Sequence, residues 1–283
     1  MLFHTVLAAG TYVAAKRALH ELSAFELALV RFTLAGVVYA GLLWARRVRV
    51  RRGDLLALAG LGIIAVPLNQ GLFLAGLARS TPGHAALLYA LTPVFVFLIA
   101  RARLGERATA AKLFGIALAF AGVLVVLGAR GAVTLRGASL SGDLLILGGV
   151  VAWAFYAVLG KVYAERYGTV AFSGISLGLG TVLYIPVGLA ASDLGHIAAL
   201  SRVGWLSVAY LVLLTSVVSY LIYYWAMARV EASRVAIWSN LAPVLTAMLA
   251  WAMYGERLTA PFLTGGAMVL AGVFLTGARG TAS

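Results

Sequence analysis

Glu106 and Glu256 stand in the same tripeptide, Gly-Glu-Arg, 150 residues apart. A matched pair of carboxylates is what general acid–base chemistry asks for, provided both reach one reacting group. The remaining acids sit at the ends of apolar runs or in turns: Glu21, Asp54, Asp143, Glu165, Asp193 and Glu231. Glu26 lies near the start of its run, within helical reach of Lys16 and Arg31. A Glu26–Lys16 or Glu26–Arg31 pair would be either a structural tie or a gate. No acid falls in the middle of an apolar run, where it would mark a proton or cation site. His4, His20, His84 and His196 are scattered, and Cys is absent, so no spacing suggests a metal. Gly160-Lys161 lacks the rest of a phosphate-binding loop, so ATP coupling within the chain is not expected.

The residues left to carry function are polar and aromatic ones far from the ends of the runs. They are Tyr12, Asn69, Gln70, Phe73, Tyr89, Thr92, Trp153, Tyr156, Ser216, Ser219, Tyr220, Tyr223, Trp238 and Asn240. Aromatic walls with a few polar groups suit a small apolar or aromatic ligand. Amides are costly to leave unpaired in hydrocarbon. Asn69, Gln70 and Asn240 should therefore face either a wet cavity or a neighbouring helix. Pro67, Pro93 and Pro243 each remove a backbone donor from an apolar run, which makes them either hinges or packing kinks.

Composition sets what must position these groups. Of the 283 residues, 63% are hydrophobic and 11% charged. Soluble domains average about 45–50% and 25%. A chain this apolar is expected in lipid. There, only helices or closed barrels satisfy the backbone. The apolar runs are continuous rather than alternating, which selects helices. Ten runs approach the roughly 20 residues that a spanning helix needs. They cover 2–19, 25–45, 54–77, 83–101, 109–128, 143–163, 170–191, 204–227, 233–253 and 260–277. The first could be a signal peptide, but it lacks a basic leading region and nine further runs follow, so a spanning helix is the preferred reading. The net charge of +13 lies in the turns, where Lys and Arg set topology and meet lipid headgroups. No segment remains to bind nucleic acid. No cofactor is expected, and the partners are a small-molecule substrate and lipid. Oligomeric state is left open, with a monomer acceptable.

The two Gly-Glu-Arg turns belong to a longer repeat. Between 71–127 and 221–277, 19 of 57 positions are identical without a gap. The halves are 1–130 and 143–283, joined by a linker over 131–142. With Met1 inside, 14 of the 22 Lys and Arg fall on the inner side, including the cluster at 46–52, so both termini are expected in the cytoplasm. Five helices per half is an odd number. The halves must then insert with opposite orientation, the plan of many secondary transporters. Glu106 and Glu256 then face opposite sides of the membrane and cannot act as a pair.

Two five-helix halves, each with Pro–x(11)–Gly-Glu-Arg and then Gly–x(6)–Gly (Pro93 to Gly122, Pro243 to Gly272), resemble the drug/metabolite transporter superfamily. The similarity is to its EamA-type branch. Lys16 and Arg31 also fit that branch, although Ser176 stands near where the second half would carry an Arg31 equivalent. The resemblance implies export of small metabolites across the cytoplasmic membrane, with neutral or aromatic amino acids as the best reading. A multidrug exporter is the rival within transporters, and a channel-like pore the rival outside them. A membrane-embedded enzyme would need a nucleophile, acid–base pair or metal cluster at one depth, and none is found.

Overall fold

A computed structural model describes residues 1–80, 85, 88–129, 140–242, 244, 245 and 260–277. Every regular element among them is a helix. In chain order they are α1 (Leu2–Ala18), α2 (Ala24–Ala45), α3 (Arg52–Arg79), α4 (Thr92–Leu104), α5 (Ala110–Ala129), α6 (Leu140–Tyr167) and α7 (Thr169–Ala190). There follow the short α8 (Leu194–Ala198), then α9 (Arg202–Met227), α10 (Ala232–Ala236) and α11 (Ala260–Gly277). Five of them, α2, α3, α6, α7 and α9, are long and apolar enough to cross a membrane. Ala110–Val125 and Leu263–Thr276 are shorter apolar helices.

Most boundaries lie within four residues of the sequence expectation, because charge runs and caps end the apolar stretches. Ser23 accepts from Glu26 N–H while the Glu26 carboxylate accepts from Ser23 N–H, a capping box that starts α2. Residues 140–142, assigned to the linker, form the first turn of α6.

The largest departure concerns the two Pro-containing helices. The run at 83–101 is not one helix kinked at Pro93. Ala90 and Leu91 form a turn, and α4 starts afresh at Thr92 with Pro93 in its first turn. Proline is at home there, since the N–H it lacks would have no helical partner. In the second copy, α10 is followed by a 3-10 turn over Ile237–Asn240. Pro243 lies outside the described residues, so its hinge expectation is not addressed.

Two helices contain wide turns. Ile64–Gln70 in α3 and Tyr210–Ser219 in α9 are wound as π-helix. Pro67 sits inside the first, where it leaves a carbonyl of the preceding turn without its usual donor. The two segments overlap in the 150-residue repeat register. Extra-wide turns of this kind are frequent at functional sites.

Small residues let the helices touch. A Cβ on Gly115 would meet Gly272 O at 2.8 Å, and one on Gly122 would meet Gly265 O at 2.6 Å. α5 and α11 are thus antiparallel. Each glycine faces the repeat partner of the other, since Gly115 corresponds to Gly265 and Gly122 to Gly272. Close approach at glycine is how helices pack without a hydrophobic driving force.

A second correspondence ties helix ends. Lys16 Nζ donates to Leu77 O (2.8 Å) and Ser80 O (2.9 Å), at the end of α3. Lys161 Nζ donates to Met227 O and to Val230 O (2.8 Å), at the end of α9. The acceptors 77 and 80 correspond to 227 and 230. A cation on the last carbonyls of a helix satisfies acceptors that have no intrahelical donor and offsets the negative end of the dipole. Lys16→Met and Lys161→Met should each cost about 1–3 kcal/mol. Thermal unfolding in detergent checks this. A cost at one lysine and none at the other would sink the idea of equivalent roles.

Candidate functional site

A cavity lies among the described helices. Its walls come from both halves of the chain. His4, Ala8, Thr11 and Tyr12 line it from α1, Arg31 from α2, Gln70 and Phe73 from α3, and Thr92 from α4. Tyr89 contributes from just before α4. The second half supplies Trp153 from α6, then Thr215, Ser219, Tyr220 and Tyr223 from α9, with Ala236, Ser239 and Ala242 beyond it.

The aromatic side chains form two clusters. Tyr12, Phe73 and Tyr89 meet edge to face, with ring centroids 5.4–6.0 Å apart. Trp153 lies 5.3 Å from both Tyr220 and Tyr223 and 5.8 Å from Tyr156. These spacings suit the ring quadrupoles. Phe73 and Tyr223 are repeat equivalents, one in each cluster. Each half thus contributes one aromatic wall. The hydroxyls of Tyr220 and Tyr223 are buried without a hydrogen-bond partner among the described residues.

Arg31 is the only Lys, Arg, Asp or Glu among the described lining residues, and it is 1% exposed. Its Nε donates to Ser216 Oγ (2.8 Å) and its Nη1 to Gln70 Oε1 (2.9 Å). Gln70 Nε2 donates in turn to Asn69 Oδ1 (2.5 Å). Asn69 Nδ2 donates to Gly149 O (2.7 Å) and to the Tyr89 hydroxyl (3.3 Å). Both acceptors for Arg31 sit in the wide-turned segments of α3 and α9.

Arg31 therefore does not pair with Glu26, and neither does Lys16. Glu26 accepts from Ser23 N–H (2.6 Å) and Asp193 N–H (2.9 Å), and lies 3.2 Å from His196 Nδ1. The carboxylate is consumed by the cap of α2 and by the turn before α8. Lys16 is consumed by the end of α3. The expected Lys16–Glu26–Arg31 ion pair is replaced by three separate networks, because helix ends offer nearer partners than the midplane does. Close by, Ser201 donates to Glu21 from its N–H and its hydroxyl, both at 2.8 Å. Those bonds, the backbone one foremost, hold the Glu21 carboxyl below the usual carboxylate range.

The other candidates divide by packing. Tyr12, Gln70, Phe73, Tyr89, Thr92, Trp153, Ser219, Tyr220 and Tyr223 line the cavity. Asn69 and Ser216 stand one layer behind, each holding a lining side chain or its neighbour. The Tyr156 hydroxyl is 2.9 Å from Ser176 Oγ and its backbone oxygen accepts from Tyr224, so its polar tip points away. Trp238 packs beside the apolar cluster of α4, α5 and α11. Asn240 is fully buried, and its amide finds no partner among the described residues.

Sequence reasoning passed over His4, Ala8 and Thr11 as cavity residues. Their signal was present in the spacing, since positions 4, 8, 11 and 12 share one helix face. His4 Nδ1 lies 2.7 Å from Ser219 Oγ. It also took Arg31 only as a possible partner of Glu26 and as a match to the family branch, although a cation seven residues inside an apolar helix is itself a mark of a pathway. Among the described residues, no group of His, Asp or Glu is placed to hold a metal.

Long apolar helices around a polar and aromatic cavity fed by both halves define a multi-pass membrane protein of transporter type. The chain belongs to the EamA-like transporter family, whose model matches residues 1–128 and 140–278. It is 30% identical to an uncharacterized transporter of Archaeoglobus fulgidus, over 96% of this chain and 93% of that one. It is also 30% identical to a probable terminal-alkyne amino-acid exporter of Streptantibioticus cattleyicolor, over 89% of this chain and 84% of that one. A crystal structure at 20% identity shares the fold, with a TM-score of 0.77 over 98% of this chain and 95% of that chain. The family's members are transporters rather than enzymes.

Proposed function

We propose that the chain is a secondary transporter that exports small metabolites, in particular neutral or aromatic amino acids, by alternating access and without direct use of ATP. Its ten spanning helices form two inverted five-helix halves in the cytoplasmic membrane, with both termini in the cytoplasm. One observation carries the reading: a single cavity is lined by two aromatic clusters, one from each half. A site built at the interface of inverted halves can be opened to either side by exchange of equivalent conformations. The exchanged glycine contacts of α5 and α11 and the matched lysine ties at Lys16 and Lys161 are what a twofold axis in the membrane plane would produce. The amino-acid reading is supported by the similarity to the exporter of Streptantibioticus cattleyicolor.

The rival multidrug reading is weakened by the charge of the cavity, which among the described residues carries Arg31 and no acid. A cationic drug would meet a like charge. A flux panel in proteoliposomes covering amino acids, organic cations, sugars and nucleotides, with and without a pH gradient, tests the proposal. Saturable amino-acid efflux with trans-stimulation is expected. Current without trans-stimulation would mean a channel, and transport of organic cations in preference to amino acids would mean a drug exporter. Trp153→Ala removes the ring around which the second aromatic wall is built. It should raise KM for an aromatic amino acid roughly 3- to 10-fold. An unchanged KM would count against that wall.

A further inference from the structure

We infer that Arg31 is a carboxylate-binding group, and that the ligand of this cavity carries a carboxylate on an apolar or aromatic body. The inference deepens the transport reading by giving the chemistry of what is carried.

A guanidinium stays protonated in proteins, so Arg31 brings a full charge into the interior. It is 1% exposed, and among the described residues the cavity wall holds no acid to balance it. A buried charge without a partner is costly, and natural proteins pair it. Among the described residues only neutral groups serve it, namely Ser216 Oγ, Gln70 Oε1 and, at 5.0 Å, the Phe32 ring. These contacts use Nε and Nη1. Nη2 has no acceptor among the described residues. The side chain is thus oriented by two helices while part of its planar fork is left for a ligand. That fork matches a carboxylate in a bidentate geometry that lysine cannot reproduce.

The surroundings narrow the rest of the ligand. Trp153, Tyr220 and Tyr223 line the cavity together with Tyr12, Phe73 and Tyr89, which suits a ring or a branched apolar chain. The unpartnered hydroxyls of Tyr220 and Tyr223 can accept from or donate to a second polar group. The carboxylate can belong to an amino acid or to a simple acid without an ammonium group. Because Ser216 and Gln70 lie in the two π-wound segments, any rearrangement there would move the guanidinium.

The test is ligand-dependent thermal stabilisation of the purified full chain in detergent, with proteoliposome flux alongside. The probes are L-phenylalanine, 3-phenylpropionate, L-phenylalaninamide and phenethylamine. The two acids are expected to raise the midpoint with concentration, and the amide and amine are not. Arg31→Lys, which keeps the charge, should bind the acids about 10- to 100-fold more weakly. Arg31→Gln should lose the discrimination altogether. Should either variant fail to fold, the wild-type panel decides alone. Phenylalanine ahead of phenylpropionate assigns the site to amino acids, and the reverse order assigns it to simple acids; both support the inference. Stabilisation by the amide equal to that by the acid would overturn it, as would acids that do not bind at millimolar concentration. Acid-selective binding without flux of any probe would leave the carboxylate site standing and remove the transport reading. Flux indifferent to the carboxylate would do the opposite.

Discussion

Lys112→Met is expected to destabilise the protein by about 3–5 kcal/mol, because it removes one partner of a buried ion pair and leaves the other. The Lys112 side chain is 4% exposed, and its Nζ lies 3.3 Å from Glu106 Oε2 and 3.2 Å from Glu231 Oε2. Glu106 is itself 6% exposed and accepts from Ser233 Oγ at 2.6 Å. This network joins the turn after α4 to the start of α10, so it holds the first half against the second. Without the lysine, the Glu106 carboxylate must take up a proton or draw in water. Glu106→Gln combined with Lys112→Met should recover most of the loss, since no unpaired charge then remains. Thermal and denaturant unfolding of the single and double variants measures it. A single variant within about 1 kcal/mol of the parent would show that the pair is hydrated rather than buried. The expected magnitude also gives the Gly-Glu-Arg turn of the first half a physical role, which is a tie between halves and not catalysis.

Gly62→Ala is expected to be worse tolerated than any other alanine substitution in α3. A Cβ there would lie 2.2 Å from Ser176 O and 2.6 Å from Gly180 N. Both are backbone atoms of α7, so no rotamer change relieves the overlap and the two helices must separate. Gly180 is the reciprocal contact, with its own added Cβ 2.3 Å from Gly62 O. Overpacking by a methylene costs about 1–3 kcal/mol where side chains can shift, and more where they cannot. The separation would also displace Ile64–Gln70, and with it the Gln70 acceptor of Arg31. The loss of folded protein on size exclusion should therefore come with loss of flux in whatever fraction survives. Gly60→Ala is the control. Nothing lies within 4 Å of its Cβ position, and alanine is the better helix former by about 1 kcal/mol. If the two variants behaved alike, the close approach of α3 and α7 would be wrong.

Much of the fold was legible before any coordinates. Lipid forbids unsatisfied backbone, so continuous apolar runs had to become helices, and charged or capping residues had to mark their ends. The cluster at 46–52 and the Gly-Glu-Arg turn after α4 did so. The walls of the cavity were partly legible too. Tyr12, Phe73, Trp153, Tyr220 and Tyr223 stood out because aromatic residues far from the ends of a span need a reason to be there. Asn240 and Trp238 stood out for the same reason yet pack elsewhere, since depth along a helix says nothing about which face looks inward.

What the sequence by itself determined is therefore a helical membrane chain, its duplication and its family, all of which depend on patterns local to one run or repeated at a fixed offset. What the tertiary structure decided is partnership. Arg31 finds Ser216 across 185 residues of sequence, Lys16 finds the end of α3, and Glu26 turns to Asp193 rather than to either cation. No spacing rule reaches that far. A charge in a low-dielectric interior goes to whichever polar group the packing of other helices brings within about 3 Å. The sequence names only the charge.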